Sequence, residues 1–143
     1  MLESSGYDYN GTYEGLADAF SDSLIWEWDN RFGGILAAFE ATDKDRVLAI
    51  VSSQLPQVWD SATINEAPTR VSGAAENFSG LKPGQLLFNS DFTQDVMLLG
   101  LWWPWGNGTT ISIRFVPYGL DSPASENEDI RAVLKGAFGI QGS

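Results

Sequence analysis

The chain has 143 residues, of which 43% are hydrophobic and 13% aromatic, and its formal net charge is −11. This length and hydrophobic content argue against intrinsic disorder and predict one domain that buries its own core. The chain has no cysteine and no histidine. Disulfides and thiolate metal sites are therefore excluded, and the commonest general base and metal ligand is missing, so we expect no metal and no cofactor.

The charge balance narrows the class of partner. Only 8 basic residues accompany 19 acidic residues, which disfavours binding to nucleic acid or to an anionic membrane and favours a cationic protein partner. The simpler interpretation is that the acidic surface serves solubility. The polar N-terminal region has no signal-peptide pattern, and no apolar run approaches the roughly 20 residues of a membrane span, so we expect a cytoplasmic protein.

The N-terminal third of the chain is predicted to be helical. Residues 1–11 are polar and predict a flexible arm, which precedes a single domain over residues 12–143. Apolar residues then recur at helical spacing and predict a helix over residues 13–28, with Thr12 as its N-cap.

Two more helices are predicted before the first proline. Residues 35–39 resume the helical spacing after two glycines and predict a short helix. Asp43 is a second N-cap candidate, and the apolar residues after it predict a helix over residues 44–55. The β-branched residues within 47–51 leave a buried strand as the alternative.

Residues 56–84 have the least regular pattern, with three prolines and few large apolar side chains. A short strand is expected within residues 63–71. Lys82-Pro83-Gly84-Gln85 has the Pro-Gly centre of a type II turn. The apolar residues 86–88 that follow it predict a strand.

A β-hairpin over residues 96–117 is the clearest pattern in the chain. Its first strand is apolar on both faces, which predicts a central strand that is covered on both sides. Gly106-Asn107-Gly108 provides residues that tolerate a positive φ at the turn. On the second strand, Ile111, Ile113, Phe115 and Pro117 share one face, and Ser112, Arg114 and Val116 share the other.

The C-terminal region predicts a helix that packs on this sheet. Ser125 and Glu128 have the spacing of a capping box, and an apolar stripe at helical spacing runs from Ile130 to Phe138. The predicted fold class is therefore α+β: N-terminal helices, a small and mainly antiparallel sheet, and a C-terminal helix on the sheet.

The motif Leu101-Trp102-Trp103-Pro104-Trp105 is the first candidate for function. Because side chains alternate along a strand, Trp103 and Trp105 point one way and Trp102 the other, so they cannot all enter one core. Tryptophan is a common interface anchor, and Pro104 suggests an edge or a bulge. The alternative is that these rings only fill a thick aromatic core.

Ile25-Trp26-Glu27-Trp28-Asp29 alternates aromatic residues with carboxylates. Folded against the hairpin tip, this segment would form an aromatic pocket with an acidic rim, which suits a peptide with an apolar anchor and a nearby Lys or Arg. The alternative is a helix end that packs beneath the sheet. The predicted partner-binding residues are Trp102, Trp103, Trp105, Trp26, Trp28, Glu27, Asp29, Asp91 and Asp95.

Catalysis is not expected from the residue types. Glu27 with Asp29, or Asp91 with Asp95, would be the available acid/base pairs, but no local context marks a raised pKa. The chain has no phosphate-binding loop of the Walker type, no EF-hand loop and no nucleophile elbow. The chain is therefore predicted to be non-enzymatic.

The segments IWEWDN and LWWPWGNGTTISIRFVP, with the small size and acidity of the chain, resemble small acidic assembly chaperones and adaptors. The cyanobacterial carboxysome assembly factors that hold a shell-protein tail are an example. This resemblance implies a groove that captures an extended tail of a larger protein.

The leading hypothesis is an adaptor or assembly chaperone that captures a segment of another protein in a Trp-rich groove with an acidic rim. One alternative is an acidic inhibitor, such as an immunity protein or a DNA mimic, that blocks a basic surface. Another is a carbohydrate-binding or hydrolytic protein that uses the tryptophans as a sugar platform. A steep loss of affinity with salt would favour the acidic inhibitor.

Overall fold

One antiparallel sheet carries helices on both of its faces in the computed structural model of this chain, which describes residues 9–20, 24–29, 33–55, 57–77, 80–90, 96–119 and 124–140. In these ranges the strands are β1 (Glu27–Asp29), β2 (Gly34–Glu40), β3 (Gln57–Trp59), β4 (Leu86–Asn89), β5 (Val96–Pro104) and β6 (Thr110–Gly119). The α-helices are α1 (Tyr9–Phe20), α2 (Lys44–Gln54), α3 (Thr69–Asn77) and α4 (Ala124–Ala137). The strand order is β1-β2-β6-β5-β4-β3, and the predicted α+β class is confirmed.

The two faces of the sheet have separate cores. Alternate residues of β5 point to opposite sides, so Leu98 and Trp102 enter one core while Leu99 and Leu101 enter the other. The first side, which we call the three-helix face, packs against α1, α2 and α4. The second side, which we call the α3 face, packs against α3 and the short 3-10 helix before it. The expectation that β5 is central and covered on both sides is confirmed.

The helices of the three-helix face bury residues at helical spacing. In α2, Val47 and Val51 are one turn apart and fully buried, so the predicted helix over residues 44–55 is confirmed and the alternative of a strand is wrong. Helix α1 contacts both α2 and α4, and it buries Tyr13 and Leu16. No helix in the described ranges combines the length and the apolar character that crossing a bilayer requires.

The predicted hairpin, its preceding turn and the C-terminal helix are confirmed. Strands β5 and β6 pair along their length, from Val96 opposite Gly119 to Pro104 opposite Ile111. In the turn before β4, the amide of Gln85 donates to the carbonyl oxygen of Lys82 at 2.9 Å, and the φ of +89° at Gly84 is the conformation that a type II turn requires at its third residue.

The predicted helix over residues 13–28 is wrong at both ends. Helix α1 begins at Tyr9, so Thr12 lies inside it and is not its cap, and it ends at Phe20. Trp28 lies in β1, and Trp26 directly precedes that strand outside any helix. The strict alternation of aromatic and acidic residues there has the period of a strand, and this local signal outweighs the helical stripe before it.

Two other element predictions are wrong. Residues 35–39 lie in β2, because Ile35, Ala37 and Phe39 are buried on one face while their neighbours point to the other. The strand expected within residues 63–71 is a 3-10 helix followed by the start of α3. Pro68 precedes α3, where its carbonyl accepts the first helical hydrogen bonds and its lack of an N–H group loses no helical hydrogen bond.

At α4, the predicted cap Ser125 lies within the helix, which begins at Ala124.

Gly34 sets how closely β2 approaches β6, which yields a stability prediction. A Cβ at this position would overlap the carbonyl oxygen of Phe115, so Gly34→Ala should force the strands apart and destabilise the protein by about 1–3 kcal/mol. Gly73 is the control, because it lies in α3 and a Cβ added there would meet no atom within 4 Å beyond its chain neighbours and the backbone of its own helix. Gly73→Ala should stabilise by about 0.5–1 kcal/mol. Urea unfolding measures the free energy of unfolding of both variants. Equal values would contradict the close approach of β2 to β6 at Gly34.

Asp60 organises the turn after β3. Its Oδ1 accepts from the backbone amides of Ala62 and Thr63, both at 2.9 Å, and from the Thr63 hydroxyl at 3.1 Å. These hydrogen bonds, led by the Thr63 amide, lower the pKa of Asp60 from its ordinary value of 3.8. The charged carboxylate is therefore the form that holds the turn.

This lowered pKa predicts a pH dependence with a definite sign. Between the pKa of Asp60 in the folded state and the ordinary pKa of 3.8, the unfolded state binds more protons at Asp60 than the folded state does. The stabilising effect of the Asp60 carboxylate is therefore complete above pH 3.8 and is lost as the pH falls through the folded-state pKa. Asp60→Asn keeps an acceptor oxygen but removes the titration. Unfolding measured at pH values from neutral to acid should show a smaller loss of stability below pH 3.8 in the variant than in the parent protein. Parallel curves would contradict the assignment.

Candidate functional site

The three tryptophans of the hairpin are divided between the two faces of the sheet. Trp102 lies on the three-helix face and is 5% exposed, with its ring centroid 5.4 Å from that of Phe39 and 6.4 Å from that of Phe88. Trp103 lies on the α3 face and is half-buried. Trp105 follows at the hairpin tip and is 50% exposed. Trp102 therefore belongs to the core, and of the three only Trp103 and Trp105 remain candidates for contact with a partner.

Trp26 and Trp28 pack on the three-helix face. The Trp26 ring meets Phe20 and Phe138 edge-on, with centroids 5.2 Å and 5.0 Å away. The Trp28 ring lies under the Lys135 ammonium, with Nζ 4.4 Å from the ring centroid. The expected aromatic pocket that joins these two rings to the hairpin tip is not formed, because the sheet lies between them.

The four predicted carboxylates do not lie together in one described site. Glu27 is exposed on β1. Asp29 lies on the same strand and the same face, and its carboxylate is paired with Arg114. Asp91 and Asp95 lie outside the described residues. The structure therefore brings Glu27 and Asp29 to the α3 face but not into one pocket with the tryptophans of the three-helix face.

Arg114 connects two of the predicted residues and was not itself predicted. Its Nε donates to Asp29 Oδ2 at 2.7 Å, and its Cζ lies 4.6 Å from the centroid of the Trp103 ring. The Arg114 and Asp29 side chains are only 14% and 11% exposed. A cation in the middle of an alternating, largely apolar strand was the sequence signal for such a pair, because a buried charge needs a partner.

One corner of the α3 face is not covered by the described helices. We call it the open corner, and five side chains of neighbouring strands form it: Ala38, Glu40, Trp103, Trp105 and Thr110. Ala38, Glu40 and Trp105 are exposed, whereas Trp103 and Thr110 are partly buried. An aromatic ring, a small residue and a carboxylate are thus presented side by side.

The strand register defines the dimensions of this corner. Glu40 pairs with Thr110, and the amide of Trp105 donates to the carbonyl oxygen of Thr110 at 2.8 Å. Three neighbouring strands therefore place Glu40, Thr110 and Trp105 in one row, and the outer two residues are about 10 Å apart at the strand spacing of ~4.8 Å. Ala38 and Trp103 form the next row, on either side of Ser112.

The hairpin tip holds Trp105 in place. Asn107 Oδ1 accepts from the amides of Thr109 and Thr110 at 2.9 Å and 3.0 Å. Gly108 closes the turn with a φ of +76°, and its amide donates to the carbonyl oxygen of Trp105 at 3.2 Å. The exposed ring is therefore mounted on an ordered turn, and the backbone that carries it loses little freedom when a partner binds.

Among the side chains that the structure describes, no group of three carboxylates is close enough to hold a metal ion. Comparison with models of protein families, with curated proteins and with solved structures finds no match to this chain.

The Asp29–Arg114 pair yields a prediction about stability. Because both side chains are largely buried, Arg114→Gln should remove the cation that lies 2.7 Å from the Asp29 carboxylate and cost about 1–3 kcal/mol. A double-mutant cycle with Asp29→Asn should give a coupling of about 1 kcal/mol or more. The control is the Arg46–Asp43 pair, which is 3.8 Å apart with side chains 46% and 49% exposed and should couple by less than about 0.5 kcal/mol. Equal coupling in the two cycles would contradict the structural role.

Proposed function

We propose that this protein is a non-enzymatic cytoplasmic adaptor or assembly chaperone, which holds a basic and partly apolar segment of another protein at the open corner. The observation that carries the proposal is the half-exposed Trp105 ring on an ordered hairpin tip, in one row with the exposed carboxylate of Glu40. The absence of cysteine is in keeping with a reducing compartment.

Trp105 supplies the apolar part of this recognition. A tryptophan side chain buries roughly 200 Å² when it is fully covered, so covering the exposed half buries about 100 Å² and stabilises a complex by about 2–3 kcal/mol. Such rings are frequent hot spots in protein interfaces. Trp103 borders Trp105 on the same face and extends the aromatic surface inward.

The charges around the corner favour a cationic segment. Glu27 and Glu40 are exposed, and no described cation forms a salt bridge with either of them. Arg114, the nearby cation, is already paired with Asp29. A Lys or Arg of the partner would therefore meet carboxylates that no described cation neutralises, in the field of a chain with a net charge of −11.

The aromatic part of the corner favours an adaptor over an acidic inhibitor. An inhibitor that works by charge alone needs carboxylates and loses affinity steeply with salt. A surface anchored by Trp105 retains most of its affinity at high ionic strength, because burial of apolar area is not screened.

The test is capture of a partner from the native host, followed by affinity measurements with that partner. Trp105→Ala should raise the Kd about 30-fold or more, which corresponds to the 2–3 kcal/mol of lost burial. Glu40→Lys should raise it less, and more at low salt than at high salt. Val58→Ala and Glu66→Lys are the matched controls, since Val58 is 44% exposed on β3 and Glu66 is exposed beyond that strand.

Unchanged affinity in a folded Trp105→Ala protein would overturn the proposed site. If the control substitutions weakened binding as much as the corner substitutions, the contact surface would lie elsewhere. If affinity fell steeply with salt but did not depend on Trp105, the acidic inhibitor would replace the adaptor as the explanation.

A further inference from the structure

The outer edge of β2 extends beyond the strand that covers it. Strand β1 pairs with β2 only from Asp29 opposite Gly34 to Glu27 opposite Leu36. Strand β2 continues to Glu40. Residues 38–40 therefore have β6 on one side and no described strand on the other.

The hydrogen-bond pattern shows where the backbone groups of this edge point. The amide of Ala41 donates to the carbonyl oxygen of Thr109 at 2.8 Å, so Ala41 directs its polar groups toward β6. Residues of an antiparallel strand direct these groups alternately to the two neighbours. Phe39 therefore bonds toward β6, while the N–H and C=O groups of Ala38 and the N–H of Glu40 point to the outer edge. The Glu40 carbonyl lies at the N-cap of the 3-10 helix Ala41–Asp43, where it accepts the first hydrogen bond of that helix.

The residues described directly before β1, at positions 24–26, do not pair with this edge. Ile25 would be the next residue to pair with Ala38, but it belongs to no strand and is 90% exposed. The following Trp26 ring packs among the rings of the three-helix face, 5.6 Å from Phe115. No described strand takes up the two outward-facing amides of Ala38 and Glu40 or the carbonyl of Ala38, which lie next to the open corner.

We infer that residues 38–40 accept an extended, basic segment of the partner as an added strand; this inference rests on the proposed function and specifies how the partner binds. A strand template of free N–H and C=O groups is a common mode of peptide recognition. The added residues opposite Ala38 and Glu40 lie on the α3 face with the carboxylates of Glu27 and Glu40. Charge complementarity therefore selects Lys or Arg at alternate positions and apolar residues between them.

A synthetic probe tests this geometry without knowledge of the natural partner. When a blocked Lys-Val-Lys-Val-Lys peptide pairs antiparallel with β2, the lysines that face Glu40 are also the residues whose amides point to β2. N-methylation of the lysine amides should abolish binding, whereas N-methylation of the valine amides should preserve it. Nitrogen–proton NMR shifts of Ala38 and Glu40 report binding to the full-length protein.

Amide exchange reports whether a strand has formed. In the free protein the Ala38 and Glu40 amides should exchange faster than those of Ala37 and Phe39, and the peptide should slow them by about tenfold or more. Equal exchange in the free protein, equal binding of the two methylated peptides, or no binding at millimolar concentration would each overturn the inference.

A substitution separates this inference from the proposed function. Ala38→Pro removes only an outward N–H, and proline is tolerated there on an edge strand; Ala38→Ser keeps the N–H and is the control. Capture of the native partner should fall about tenfold or more in Ala38→Pro and persist in Ala38→Ser. Full capture by a folded Ala38→Pro protein, with capture lost in Trp105→Ala, would overturn the added strand and leave the proposed function standing.

Discussion

Strand β5 is apolar on both sides, so the chain must supply cover for both faces of the sheet. Three helices cover one face, but α3 has only nine residues and spans about 13 Å. Six strands at ~4.8 Å make a sheet roughly 24 Å wide, more than twice the ~10 Å diameter of a helix. Helix α3 and the short 3-10 helix before it therefore leave part of this face without cover from a described helix. The open corner over β2 and β6 follows from this shortage of cover, and the aromatic residues at the hairpin end of β5 border it.

Elements with a single strong period were predictable from the sequence. The second strand of the hairpin and the C-terminal helix each fit one periodicity. The prediction of a helix over residues 35–39 was wrong because the spacing of Ile35 and Phe39 fits both a helical turn and a strand. Ala37 between them is too small to distinguish the two apolar patterns. The strand expected within residues 63–71 was wrong for another reason. The apolar pattern there is weak, and local hydrogen bonds around Asp60 and Pro68 determine the backbone conformation.

The candidate site was predictable only in part. Alternation along β5 was sufficient to separate Trp102 from Trp103 and Trp105. Which of these rings would be exposed depends on the neighbouring strands and helices, and that information is not local. Arg114 shows the same limit, because its partner Asp29 is 85 positions away in the chain. Trp26 was expected beside the hairpin tip, but its place was decided by aromatic partners from α1 and from the region after α4.

The buried ion pair also shapes what the surface presents. Because Asp29 takes up the charge of Arg114, the guanidinium does not offset the exposed carboxylates of Glu27 and Glu40. The same guanidinium stacks on Trp103 and so limits the freedom of that ring. The hydrogen bonds of the hairpin tip restrict the backbone that carries Trp105. The corner is thus negatively charged and already ordered. If a partner binds there, most of the conformational entropy lost on binding would be that of the partner's own segment.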